Sequence, residues 1–250
     1  MKFYGDYHTH SRFSDSRSTI RENVKQAIDI GLKEIGVSDH GYNNVTLSLT
    51  RESILQQKLE VVKLRKEFPE IKILHSIEAD LIGLDGSIDM SLEECLDFDY
   101  MIAGFHRWAV AKDMESFFKM FLPVHMRYIW LRKKSMITRY TDATIKMLEK
   151  YPISIMPHIG DTIPVDCVAI AEVCSELGIY LELNRKHYSA IEKNIDKLLT
   201  TKVLFIASSD AHNAKVVGEF KKLSTLITKY NIPENRVINL SNKTPNFRKA

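Results

Sequence analysis

Residues 203–212 read VLFIASSDAH, an apolar run that stops on Asp210 and His212. A short apolar run bounded by polar residues reads as a buried strand, so both side chains fall at its C-terminal end. Six earlier runs repeat the form: FYGDYH (3–8), EIGVSDH (34–40), KILHSIEAD (72–80), DYMIAGFH (99–106), ISIMPHIG (153–160) and IYLELN (179–184). Helical patterns lie between them. In TIRENVKQAIDIGLK (19–33), Thr19 and Glu22 form a capping box and Gly31 marks the end. Ser91 and Glu94 offer a second box, and VDCVAIAEVCSELG (165–178) keeps a period near 3.6 up to Gly178. Seven strands alternating with helices predict a parallel α/β fold.

The strand ends choose the architecture. They carry His8 and His10, then His40, Glu78, His106, His158, and finally Asp210 with His212. An open sheet would spread these along a line of roughly 30 Å, at ~4.8 Å per strand. A closed barrel gathers them at the face where such folds place their active sites. The expected fold is therefore a distorted seven-stranded (β/α)7 TIM-like barrel forming one domain over residues 1–250. A helical insertion is expected around 107–150, and a flexible C-terminal tail from about 241.

One H-x-H pair means little. However, six of the nine histidines fall at strand ends, and packing histidines would not follow strand ends this way. Asp15 stands just beyond the first strand, in GDYHTHSRFSD (5–15), and joins Glu78 and Asp210 as a carboxylate in the pattern. Imidazole with carboxylate is the ligand set of zinc, manganese or iron at hydrolytic sites. The net charge of +3 is too small to argue for nucleic acid or membrane. No run approaches the ~20 apolar residues of a membrane span. Cys95, Cys167 and Cys174 form no C-x-x-C pair and read as reduced core thiols of a cytoplasmic protein.

HTHSRFSD (8–15), VSDH (37–40), IEAD (77–80), IAGFH (102–106), MPHIGD (156–161) and SSDAH (208–212), in that order, resemble the motifs of the polymerase and histidinol phosphatase (PHP) superfamily. The later stretch, VGEF…LITKYNIPENRVINLS (217–241), is similar to its small stand-alone bacterial phosphatases. The resemblance implies a trinuclear centre of three divalent ions. His8, His10, Glu78 and Asp210 would hold a first ion and form the catalytic core. Asp15, His40 and His212 would hold a second, and Glu78 would bridge to a third completed by His106 and His158. Ile159 stands where the family usually has proline. Such a site would lower the pKa of a shared water towards 7, giving hydroxide at neutral pH, and would stabilise phosphoryl oxygens. Asp39, beside His40, is expected either to orient an imidazole from behind or to pair with a lysine.

Candidate substrate residues are Arg107, which follows His106, then Arg185 in LELNRKHY (181–188), Arg12 in the first motif loop, and His187. A guanidinium at the barrel mouth could take a phosphate bidentately. His75 reads as a core residue, and His125 as a surface one. Residues 107–140 hold Phe117, Phe121, Tyr128 and Trp130, as a lid over the site or as a hairpin for packing or homo-oligomerisation. The expected activity is phosphoester hydrolysis of a small phosphorylated substrate, histidinol phosphate being one candidate. A nuclease on DNA or RNA ends is the first alternative, with MRYIWLRKK (126–134) as a short basic, aromatic track. A C–N hydrolase of amidohydrolase type fits less well, because Glu78 stands where those enzymes use a modified lysine. A metal-binding interaction module without catalysis is the last alternative.

Overall fold

The computed structural model describes residues 1–42, 49–126 and 134–248. Seven parallel strands lie in chain order: β1 (Gly5–Asp6), β2 (Glu34–His40), β3 (Lys72–Asp80), β4 (Tyr100–Gly104), β5 (Ile155–Met156), β6 (Tyr180–Asn184) and β7 (Phe205–Ser208). Just beyond β1 and β7, Thr9 and Ala211 form a parallel bridge; the His10 amide donates to the Ala211 carbonyl at 2.8 Å. That seam brings the first and last strands together in a nearly closed barrel. The buried Asp6 carboxylate fastens it by accepting the backbone N–H groups of Ser209 (3.0 Å) and Gly218 (2.8 Å). β1 and β5 are shorter than their apolar runs suggest, because the chain leaves the ladder early on its way to His8 and His158.

The main helices wrap the outside: α1 (Ile20–Asp29), α2 (Arg51–Glu67), α3 (Leu92–Cys95), α4 (Met114–Ser116), α5 (Leu122–His125), α6 (Lys134–Lys150), α7 (Cys167–Leu177), α8 (Tyr188–Leu199) and α9 (Lys221–Lys229). Both expected capping boxes are formed, at Thr19 and at Ser91. Gly178 ends α7 at φ 70°, a left-handed cap that costs glycine little. Cys95, Cys167 and Cys174 are buried and free.

Alternate residues of a strand share a face, and inside the barrel this parity separates two levels. Low down, Tyr7, Leu74, Tyr100, Ile102, Ile155, Tyr180 and Ile206 form an apolar plug. Gly36 makes room there, since a Cβ at that position would overlap the Tyr100 hydroxyl. Two or four residues further along the same faces stand Ser38 and His40, Ser76 and Glu78, Glu182 and Asn184, Ser208 and Asp210. The opposite faces join the larger core beneath the helices.

Residues 241–248, the stretch expected to be a flexible tail, run across the lower end. Phe247 stacks on Tyr100 with ring centroids 4.2 Å apart, and Arg248 donates to the Leu148 and Tyr151 carbonyls. In the 107–150 segment, Phe121 is buried against Phe105, while Phe117 stays 38% exposed instead of packing inward. Tyr128 and Trp130 lie outside the described residues, as does most of the basic track.

Candidate metal centre

All nine expected ligands meet at the C-terminal end of the barrel. Strand register does much of this: His40 of β2 pairs with Glu78 of β3. His8 and His10, two apart on an extended chain, bring their Nε2 atoms to 3.1 Å. Glu78 is the hub. Its Oε2 lies 3.3 Å from His8 Nε2, 3.5 Å from His10 Nε2 and 3.3 Å from His40 Nδ1. Its Oε1 lies 3.3 Å from His106 Nε2 and 2.9 Å from His158 Nε2. Among the described residues, three groups have ligand atoms within 4.8 Å of one another: His8, His10 and Asp210; His10, Asp15, His40 and His212; and His40, Glu78 and His106. These differ from the implied partition, since His10 also faces Asp15 and His40 also faces Glu78. The sites share walls, so one imidazole borders two groups.

Burial and charge act against each other here. Burial alone would push the Glu78 carboxyl up, but the imidazoles of His106 and His8 outweigh it and hold it well below the usual range. Asp210 is likewise held low against its burial by His8, Lys186 and His10. Burial opposes a charge on His8, yet Glu78 and Glu182 raise its pKa well above the ordinary value. His10 goes the other way, lowered by burial and by His212 and His40.

These residues fit divalent ions. His10 Nδ1 and His40 Nδ1 are buried and make no hydrogen bond, although each lies within about 3.5 Å of a carboxylate oxygen, of Asp15 and Glu78 respectively. An unsatisfied buried polar atom costs about 1–3 kcal/mol, a cost that coordination removes. Two candidate ligands also sit in the left-handed region, His158 at φ 27° and Asp210 at φ 52°. Non-glycine residues there cost ~1–3 kcal/mol and cluster at functional sites.

Behind the candidate ligands stand carboxylates that the sequence reading did not single out. Glu182 accepts from His8 Nδ1 at 2.8 Å, from the His158 amide at 3.1 Å and from Asn184 Nδ2 at 2.7 Å. Asp80 meets His106 Nδ1 at 2.5 Å. Asp161 lies 2.9 Å from His187 Nδ1. Glu182 and Asp80, so placed, fix the tautomer of the imidazoles in front of them, whereas Asp161 and His187 both line the cleft. Parity could have found two of them, since Asp80 follows Glu78 by two and Glu182 precedes Asn184 by two. Asp39 acts differently from expectation: it bonds no imidazole. Its oxygens accept from Ser11 N (2.6 Å) and Oγ (2.6 Å), Ser14 Oγ (2.5 Å) and Gln57 Nε2 (2.5 Å). It pins the 11–15 loop that carries Asp15.

A cleft of about 850 Å³, counted with its open mouth, lies over the cluster. Arg107 and His187 line it, as expected. Arg185 does not: its Nε is paired with Glu219 at 2.6 Å, while its neighbour Lys186 reaches Asp210 Oδ1 at 3.3 Å and His212 Nε2 at 3.1 Å. Arg12 is exposed, and its Nε donates to the Arg17 carbonyl. Its side chain is therefore not among those lining the cleft. His75 is a core residue, bonded to Gln57 and packed on Phe98.

A nearly closed parallel barrel with histidines and carboxylates gathered at its C-terminal end defines a class of metal-site barrels. The chain belongs to one family within it: residues 6–201 match the PHP domain, so it is a PHP domain protein. Among its curated relatives is a "probable phosphatase" of Clostridium acetobutylicum, 24% identical over 253 residues, covering 97% of this chain and 93% of the relative. A "probable phosphatase" of Clostridium botulinum is 26% identical, covering 96% and 91%. A solved structure of histidinol phosphate phosphatase from Lactococcus lactis, complexed with zinc, L-histidinol and phosphate, superposes with a TM-score of 0.61 at 20% identity, covering 92% of this chain and 94% of that one. At that identity the likeness shows the fold. No described helix is long and apolar enough to cross a membrane.

Proposed function

We propose that this protein is a metal-dependent phosphomonoesterase. The observation that carries the reading is the two-sided placing of Glu78, with Oε2 towards His8, His10 and His40 and Oε1 towards His106 and His158. A carboxylate so placed suits adjacent cations, and we assign three. His8, His10, Glu78 and Asp210 would hold the first, Asp15, His40 and His212 the second, and Glu78, His106 and His158 the third, with His10 and His40 bordering two sites each. Zinc, manganese and iron all suit these ligands. When bound, such ions supply Lewis acidity that lowers the pKa of water and neutralises phosphoryl charge.

The chain's own residues supply the rest. Glu182 and Asp80 orient the His8 and His106 rings. Asp39 holds Asp15 through its loop. Arg107, Lys186 and His187 line the cleft and provide donors for phosphate oxygens. A cleft of about 850 Å³ with its open mouth suits a small phosphomonoester. The names of the relatives point the same way, and L-histidinol phosphate is the first ester to assay.

The test is metal analysis together with turnover. Protein purified without chelator should carry close to three ions per chain and hydrolyse an aryl phosphate. His10→Ala and Asp210→Ala should abolish that hydrolysis while circular dichroism stays native. Undiminished activity after complete removal of metal would end the proposal.

A further inference from the structure

Helix α2 is apolar on two sides. Ile54, Val61 and Leu64, together with Gln57, are buried on its inner side. Leu55, Leu59 and Val62 lie on the outer side and are 56%, 61% and 40% exposed. A lone exposed apolar side chain is ordinary. These three, however, recur at intervals of 4 and 3, the repeat of a helix–helix seam. The same row runs on to Glu52 at one end and Lys66 at the other, so it reads Glu, Leu, Leu, Val, Lys. Both end residues are exposed, and neither forms an ion pair among the described residues.

Beside the row, Arg51, Lys58 and Arg65 stand seven residues apart. Each is already paired inside the chain: Arg51 Nε with Glu94 at 2.8 Å, Lys58 Nζ with Asp97 at 3.0 Å, and Arg65 Nη2 with Asp99 at 2.6 Å. A second helix approaching the row therefore does not meet three unpaired cations. The exposed Leu92 and Leu96 sit on the stretch that carries Glu94 and Asp97, and they add apolar surface beside the pairs.

The order of charge selects the occupant. Glu52 lies in the first turn of α2 and Lys66 in the last. Laid parallel against a copy of itself, the row would set Glu52 against Glu52 and Lys66 against Lys66. Laid antiparallel about Leu59, it brings each Glu52 within a turn of the second copy's Lys66, twice by symmetry. The antiparallel arrangement also sets opposite ends of the two helix dipoles together.

We propose that the outer face of α2 is the contact of a two-fold homodimer and packs antiparallel on the same face of a second copy of this chain. None of these residues lines the cleft, so the proposal stands apart from the phosphomonoesterase reading. Specific interfaces bury about 800 Å² on each partner. One helix row with its flanks lies at the low end of that range, so half-association is expected at about 10–100 µM.

The test is analytical ultracentrifugation of the full-length, metal-replete protein from about 1 to about 500 µM. The wild type should pass from monomer to dimer across that range. Leu59→Asp places a charge in the middle of the contact and should raise the midpoint by about tenfold or more. Glu52→Lys and Lys66→Glu should each weaken association by about threefold to tenfold, and the double exchange should bring it back to within about twofold. All these side chains are exposed, so circular dichroism should stay native throughout. A wild type that remains monomeric up to about 500 µM would overturn the second copy as the occupant. A dimer that Leu59→Asp leaves unchanged would overturn α2 as the contact. A double exchange no better than the single ones would overturn the antiparallel pairing.

Discussion

Glu182→Gln is the substitution that most directly tests how the cluster is organised. The side chain is fully buried, and all its contacts are donors: His8 Nδ1 at 2.8 Å, the His158 amide at 3.1 Å and Asn184 Nδ2 at 2.7 Å. A carboxylate accepts all three, so it fixes the proton of His8 on Nδ1 and leaves Nε2 free to bind a cation. Glutamine has the same shape but only one acceptor. If its oxygen faces His8, its NH2 meets two other donors, the His158 amide and Asn184. If it flips, its NH2 faces His8 Nδ1 and drives the ring proton to Nε2, where the lone pair is needed. Either arrangement exchanges a charge-assisted bond of about 1.5–3 kcal/mol for a neutral or unsatisfied one, a net loss of roughly 1–3 kcal/mol. This corresponds to about 10–100-fold in metal affinity, the usual size for such partners.

The assay is a titration of the metal-free protein against a chromophoric chelator, with circular dichroism to confirm folding. Glu182→Gln should bind its tightest ion about 10–100-fold more weakly, and phosphatase activity at limiting metal should fall in parallel. Activity should recover substantially at saturating metal. A variant with wild-type affinity would refute the reasoning, and so would one whose activity stays low at saturating metal although its affinity is unchanged, since Glu182 would then act on the substrate.

Three further outcomes follow from other parts of the molecule. Lys186→Met should lower kcat/KM about 10–100-fold and weaken inhibition by inorganic phosphate, whereas Arg185→Met, which breaks a half-exposed pair with Glu219 worth at most ~1 kcal/mol, should change either by less than about threefold; equal effects in steady-state kinetics would contradict the assignment of Lys186 to the cleft. Burial lowers the His75 pKa to about 4, and its Nδ1 has no partner to stabilise a second proton. The unfolded chain therefore holds more protons between about pH 6.5 and 4, so this share of stability, up to ~3 kcal/mol, is lost as pH falls through that window; urea unfolding of His75→Gln should show a flatter pH slope there, and an unchanged slope would rule the effect out. Phe247→Ala removes the ring stacked on Tyr100 and should cost ~1–3 kcal/mol with little change in KM; an unaltered melting temperature would show that the tail contributes nothing to the barrel.

Much of the site is legible in the sequence because a barrel converts one-dimensional parity into three-dimensional convergence. Six of the nine candidate ligands, His8, His40, Glu78, His106, His158 and Asp210, sit at a strand end or two residues from it, so knowing that the strands close is enough to bring His8 and Asp210 together across 202 residues of chain. What stays hidden depends on turns and on distant partners. Arg185 and Lys186 are equivalent in composition and position, and only the turn after Asn184 separates them. There the His187 amide bonds back to Asn184 Oδ1, and Glu219, 34 residues away, captures Arg185. Asp39 belongs with the loop hydroxyls of Ser11 and Ser14 for a similar reason: adjacency to His40 in sequence places it on the opposite face of β2. The resting place of Phe247 depends on three tyrosines, of β4, β6 and the end of β1, sharing the bottom of the barrel. No local pattern in residues 241–248 announces this.

The two levels of the barrel interior also explain how such a cluster can be carried. Asp15, Glu78 and Asp210 converge with Asp80 and Glu182 behind them, and the imidazoles between them must be largely neutral if they are to serve as ligands. Lys186 is the one protein ammonium that reaches an inner carboxylate among the described residues. Buried negative charge of that density is unfavourable unless cations neutralise it. The lower plug of Tyr7, Tyr100, Tyr180 and Phe247, with the helix-facing core around it, contributes apolar burial from a region that the charged end does not enter. Under the proposed coordination, the barrel can therefore keep an upper level that is costly alone and would become favourable once cations bind. On the proposed reading, this division places an energetic cost on His10 and His40, whose buried unpaired nitrogens coordination would satisfy, and keeps it away from the strands that hold them.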